Sequence, residues 1–98
     1  MGAARVRRRC AGGKTVDVEV EVEAGRLRRV VISGDFFAYP EGALESLEES
    51  LSGVEPSRDE VLEIIKRSGV EFLGASAEEI ADMIAEAAEL AGREGGPG

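Results

Sequence analysis

Histidine is absent from these 98 residues, tryptophan is absent, and cysteine occurs once, as Cys10. Without histidine, Ser–His and Cys–His nucleophilic catalysis are excluded. A single thiol cannot close an internal disulfide, which suits a reducing compartment. Nor can one cysteine build a zinc or iron–sulfur site from this chain alone, so Cys10 reads as a plain strand residue. Aromatic side chains are few, three Phe and one Tyr, so the core must be aliphatic. No apolar run approaches the ~20 residues a membrane span requires. The basic N-terminus lacks the apolar stretch of a secretory signal, and the expected location is the cytoplasm. At this length one domain is expected, over residues 1–91, burying roughly 60–65% of its unfolded surface.

What the chain has in quantity is acid, unevenly placed. The net charge is −8, yet Arg5, Arg7, Arg8, Arg9 and Lys14 precede the first carboxylate. An acidic body repels phosphate backbones, so nucleic acid is not an expected partner. The basic stretch suits either an edge strand whose arginines block sheet association or a surface that meets an anionic ligand or acidic partner.

Val16, Val18, Val20 and Val22 alternate with Asp17, Glu19, Glu21 and Glu23. Period two makes this a strand with a valine face and a carboxylate face. Ala24-Gly25 supplies a tight turn, and a strand returns from Arg26 to about Ser33. A two-residue loop sets Glu23 opposite Arg26 and Glu21 opposite Arg28, with Leu27 and Val31 on the valine face. Ala4 to Cys10 predicts a third strand, turning at Gly12-Gly13 into Lys14. Three helices then follow. The first enters after Tyr39-Pro40 with an apolar seam of Leu44, Leu47, Leu51 and Val54, and ends at Gly53. The second opens on a capping box of Ser57 and Glu60 and stops at Gly69. Val70 to Leu73 reads as a short apolar linker. A second capping box, Ser76 and Glu79, opens a helix to about Ala91 with an inner stripe of Ile80, Met83, Ile84, Ala87 and Ala91. Residues 92–98 are Gly-rich and expected to be disordered. The fold class is α+β, an antiparallel meander of about three strands followed by three helices.

Between the halves lies Ser33-Gly34-Asp35-Phe36-Phe37-Ala38-Tyr39-Pro40, which holds three of the four aromatics. Such a segment is either a strand-to-helix corner with Phe over the open sheet end, or a docking site. Gly12-Gly13-Lys14, the valine-rich strands, Ile32-Ser33-Gly34-Asp35-Phe36-Phe37, Pro40-Glu41 and Leu44-Glu45-Ser46-Leu47-Glu48 together resemble the accessory, C-terminal domain of lipoate–protein ligases. The likeness runs over roughly residues 4–91, and Leu51-Ser52-Gly53-Val54 continues it. In many bacterial ligases that domain is fused to the catalytic one, and in some archaeal systems it is a separate polypeptide, the arrangement this chain resembles.

The resemblance implies an architecture similar to iron–sulfur scaffold (SufE/NifU-like) domains without their cluster chemistry. It also implies a catalytic subunit as partner, which binds ATP, Mg and lipoate and makes lipoyl-adenylate, with lipoyl acceptor domains as indirect partners. It carries no catalytic residue and no metal ligand into this chain, and no cofactor held by this chain alone. Residue types point to Gly12, Gly13 and Lys14 for contact with phosphate, and to Gly34, Asp35, Phe36, Phe37 and Tyr39 for facing the partner or its active site. The competing reading is a protein-binding adaptor unrelated to lipoate, which would use the same corner. A stand-alone enzyme is disfavoured, because the paired carboxylates lie on strand alternations or solvated helix faces.

Overall fold

A computed structural model describes residues 2–94. Strands β1 (Gly2–Arg9), β2 (Thr15–Glu23) and β3 (Arg26–Gly34) form an antiparallel sheet in the order β1-β2-β3. A short strand β4 (Phe37–Tyr39) leads into α1 (Ala43–Ser50) and α2 (Arg58–Ser68), followed by β5 (Glu71–Leu73) and α3 (Ala77–Glu94). The class is α+β, with the meander and three helices expected.

The valine alternation does what period two requires. Val16, Val18, Val20 and Val22 are all buried, and α3 lies beneath β1 and β2 with Ile80, Met83, Ile84, Ala87 and Ala91 fully enclosed. Alanines along α3 let its backbone come close to the sheet. Helix α2 packs on α3 through Val61 and Ile65, and α1 runs beside β3 with Leu47 and Leu51 inside.

Three expectations are corrected. Glu21 faces Arg29 rather than Arg28, because the β2–β3 register shifts between Glu21 and Val22. The extra residue of a bulge changes which side chains point inward. Leu27, Val30 and Ile32 are therefore buried and Val31 lies on the outer face, the reverse of what an unbroken hairpin gives for Val30, Val31 and Ile32. Second, the segment expected as an apolar linker contains strand β5, which pairs antiparallel with β4 in a separate two-stranded ribbon: Phe37 opposite Leu73, Ala38 opposite Phe72, Tyr39 opposite Glu71. Third, α3 continues through Gly92 and Arg93 to Glu94, past the end expected at about Ala91 and into the Gly-rich tail. The remainder of that tail, 95–98, lies outside the described residues.

The helix starts follow their caps unequally. At α2 the Glu60 N–H donates to Ser57 Oγ at 3.2 Å, but the Ser57 N–H goes to the Glu55 carbonyl, so only half of the box forms. At α3 both halves form, each at 3.0 Å between Ser76 and Glu79. The edges of the main sheet also differ. Along β3, the Leu27 N–H donates to the Val54 carbonyl, the Gly53 N–H to the Leu27 carbonyl, and the Ile32 N–H to the Glu48 carboxylate at 2.7 Å. That edge is closed by residues 48–54.

Candidate functional site

The residues singled out in the sequence converge at one end of the molecule, where the β1–β2 turn, the end of β3, the β4–β5 ribbon and the start of α3 meet. The turn closes through the Cys10 N–H to the Lys14 carbonyl and the Gly13 N–H to the Cys10 carbonyl, both 2.8 Å. Gly12 has a packing task there: a Cβ at that position would lie 2.7 Å from the backbone of Gly74. The stem of Lys14 covers the other side of Gly74, where any side chain would collide with it. Gly12, Gly74 and Lys14 thus form a close backbone stack joining the turn to the end of β5. Lys14 forms no ion pair among the described residues, so its ammonium charge is uncompensated.

Asp35 does not hold Lys14. Its Oδ1 accepts the Thr15 N–H at 2.6 Å while the Asp35 N–H donates to the Thr15 carbonyl at 3.2 Å, a two-way clasp on the residue that follows the lysine. Gly34 makes the clasp possible. Its φ is +145°, a region disfavoured for residues with a side chain, and a Cβ would overlap the Thr15 carbonyl oxygen. The sequence signals of Gly34 and Asp35 are therefore met first by backbone geometry.

The two adjacent phenylalanines separate. Phe36 is half-buried against the core and meets Phe72 edge-to-face, with ring centroids 5.7 Å apart. Alternation then turns Phe37 and Tyr39 to the opposite side of the ribbon, where they are 57% and 50% exposed, beside Leu73 at 58%. Three large apolar side chains thus lie uncovered together on a six-residue ribbon, the kind of exposed apolar patch that contact surfaces present. Leu73 was missed in the sequence. Only pairing to Phe37 gives it significance, and a three-residue strand has no periodic signal.

Glu79 binds this end together, and its reach was not legible from its place in a capping box. Oε1 accepts the Ser76 N–H, and Oε2 accepts the Ala11 N–H of the turn at 2.7 Å. The Ala11 hydrogen bond, followed by those from Ser76 and the Cys10 thiol, holds the Glu79 carboxyl below the ordinary range despite partial burial. Cys10 lies just beyond β1 and is buried. Burial first, then neighbouring Glu79, pushes its thiol up, which makes it a poor nucleophile.

These directions set a pH dependence. Asp17, gripped by Arg5 through two bonds of 2.6 Å and by Arg7 at 3.1 Å, is also held low, with the Arg5 hydrogen bonding the main cause. Stability from Asp17 and Glu79 is complete above the unfolded value near about pH 4 and is lost as pH falls through their lower folded values. Glu48 acts oppositely: burial raises it, so its protonation on acidification relieves a cost. Glu79→Gln is expected to cost about 1–2 kcal/mol at neutral pH. The difference from the unmodified protein should shrink in urea melts as pH is lowered through the depressed range in which the native carboxylate takes up its proton. A difference that stays constant across that range would remove the ionised Glu79 from this role.

Against this geometry the comparisons with known proteins can be set. Residues 4–84 match the family described as the bacterial lipoate protein ligase C-terminus. The chain belongs to that family. The match runs from Ala4 in β1 through the first eight residues of α3 and takes in every candidate residue named above. A solved structure from Thermoplasma acidophilum, from a study of an archaeal lipoylation system with a bi-partite lipoate protein ligase and its E2 lipoyl domain, is similar in fold. The TM-score is 0.68 at 24% identity, over 84% of this chain and 96% of that one. No curated protein sequence matches the chain. Family membership makes the chain an accessory, C-terminal-type ligase domain. Among the described residues no helix is long and apolar enough to cross a membrane, and no group of three or more Cys, Asp or Glu is placed to hold a metal ion.

Proposed function

We propose that this protein is the accessory subunit of a two-part, archaeal-type lipoate–protein ligase, working in the cytoplasm as a heterodimer with a separate catalytic polypeptide. The observation that carries the reading is the family match over residues 4–84 in a chain with no histidine and an uncovered aromatic ribbon. In this reading ATP, Mg and lipoate belong to the assembled ligase, and lipoyl acceptor domains meet the complex rather than this chain. In this reading the architecture resembles that of iron–sulfur scaffold domains, without their cluster chemistry.

In the reaction, a lipoate carboxylate oxygen attacks the α-phosphorus of ATP. The bond to the bridging oxygen of pyrophosphate breaks, leaving lipoyl-adenylate and pyrophosphate. An acceptor lysine amine then attacks the mixed anhydride, forming an amide and releasing AMP and a proton. This chain supplies position and enclosure. Docked through Phe37, Tyr39 and Leu73, its turn brings the Lys14 ammonium toward the nucleotide, where a positive charge stabilises the negative charge developing during adenylation. The apolar ribbon keeps water from a hydrolysable anhydride.

Two measurements test this. Co-expressed with a lipoate ligase catalytic chain, the protein is expected to co-elute with it, and elution alone at micromolar concentrations would count against the assembly. In the reconstituted pair, Lys14→Ala is expected to lower pyrophosphate release about ten-fold while transfer from supplied lipoyl-adenylate stays nearly unchanged. That size corresponds to losing one charged contact in the transition state, about 1.4 kcal/mol. Equal losses in both steps would make Lys14 a docking residue.

A further inference from the structure

The two edges of the main sheet are treated differently, and the open one is basic. Residues 48–54 close the β3 edge, whereas β1 carries its own edge into solvent. Which groups it presents follows from the register. Cys10 bonds across to Lys14, while Thr15 directs both its N–H and its carbonyl to Asp35 on the β3 side. With Gly2 to Arg9 paired to Val22 to Thr15 without a shift, the even residues of β1 bond to β2. The N–H and C=O of Ala3, Arg5, Arg7 and Arg9 therefore point outward. None of them finds a hydrogen-bond partner among the described residues. The side chains of those same residues form one row on the outer face, with Arg9 unpaired among the described residues and Arg7 66% exposed around its contact with Asp17.

A second copy of this chain cannot use the edge well. Pairing β1 with β1 across a two-fold axis would set arginine rows against each other on one face, and like charges directly opposite are destabilising. We infer that the β1 edge is a strand-addition site for an extended acidic segment of another protein, one with carboxylates at alternate positions. The segment's backbone would complete the unpaired groups from Ala3 to Arg9, and its carboxylates would lie opposite Arg7 and Arg9. The arginines thus act as a filter, turning away copies of the chain and admitting a strand of opposite charge. This surface is separate from the aromatic ribbon, and the inference stands whether or not the ligase reading does.

The probe is a labelled eight-residue peptide alternating valine and glutamate, titrated with the full chain and followed by fluorescence anisotropy at low salt. Saturable binding is expected, weakened at least ten-fold by Arg9→Glu, a change at an exposed unpaired residue whose fold is checked by circular dichroism. The same peptide N-methylated at every amide keeps its charge but cannot donate to the edge, and its binding is expected to be lost. Equal binding of the methylated peptide would reduce the site to charge attraction and overturn the inference. So would an absence of saturable binding by the unmethylated peptide, or indifference to Arg9→Glu.

Discussion

Incubated with ATP, magnesium, lipoate and a lipoyl acceptor protein, the purified chain is expected to yield no lipoylated lysine. Addition of a lipoate ligase catalytic chain should start the reaction. The expectation rests on chemistry: activation of a carboxylate by ATP needs a site that binds the nucleotide and orients in-line attack. This chain offers one lysine without an ion pair among the described residues, at a turn whose Gly12 is committed to packing on Gly74. Four of its carboxylates are already engaged, Asp35, Glu48 and Glu79 by backbone amides and Asp17 by arginines. The effect would be of the on–off kind, measured as acceptor mass increase with each component omitted in turn. Lipoylation by the isolated chain would refute the accessory reading outright.

The second large effect is expected from the two phenylalanines, which the fold has given different work. Phe37→Ala combined with Leu73→Ala should weaken association with the catalytic chain by at least about 30-fold, since buried interface anchors cost ≥2 kcal/mol on truncation. Their removal from an exposed ribbon face should leave the helical signal and melting temperature close to unchanged. Phe36→Ala should do the reverse. It opens space beside Phe72 and the core, with a stability loss of about 2–3 kcal/mol, below the 3–5 typical of a fully buried ring because Phe36 is only half-enclosed. Calorimetric titration and thermal melts on the same three proteins separate the outcomes. If the Phe37 and Leu73 pair melts the domain without touching affinity, the ribbon is a structural element and the docking surface lies elsewhere.

Much of this fold could be read from the chain because one kind of signal dominates it. Four valines alternating with four acids admit a single strand assignment, and Ser76 with Glu79 followed by an Ile–Met–Ile–Ala–Ala stripe admits a single helix. The third strand was harder for a physical reason. Leu27, Val30, Val31 and Ile32 place apolar residues on both parities, so the pattern cannot say where the bulge falls, and the cross-strand partner of Glu21 moved from Arg28 to Arg29. Strands β4 and β5 are three residues each, too short for any period, and each is defined only by the other. At the candidate site, residue types picked out positions that the fold brings to one end of the molecule, but not the packing and backbone contacts several of them make there. Asp35 clasps Thr15, Gly12 admits Gly74, and Glu79 reaches across to Ala11, all contacts between positions 20 to 68 residues apart that local pattern does not encode.

The closure of β3 by Glu48 and residues 53–54 has a consequence for the life of the protein in a crowded solution. Fibrous growth by a single species needs every molecule to offer two complementary ends, one to receive and one to donate. Here one end is sealed by the chain itself and the other repels its own kind. Copies of this protein can therefore collide at high concentration, or wait for a partner in excess, without seeding a filament through the main sheet.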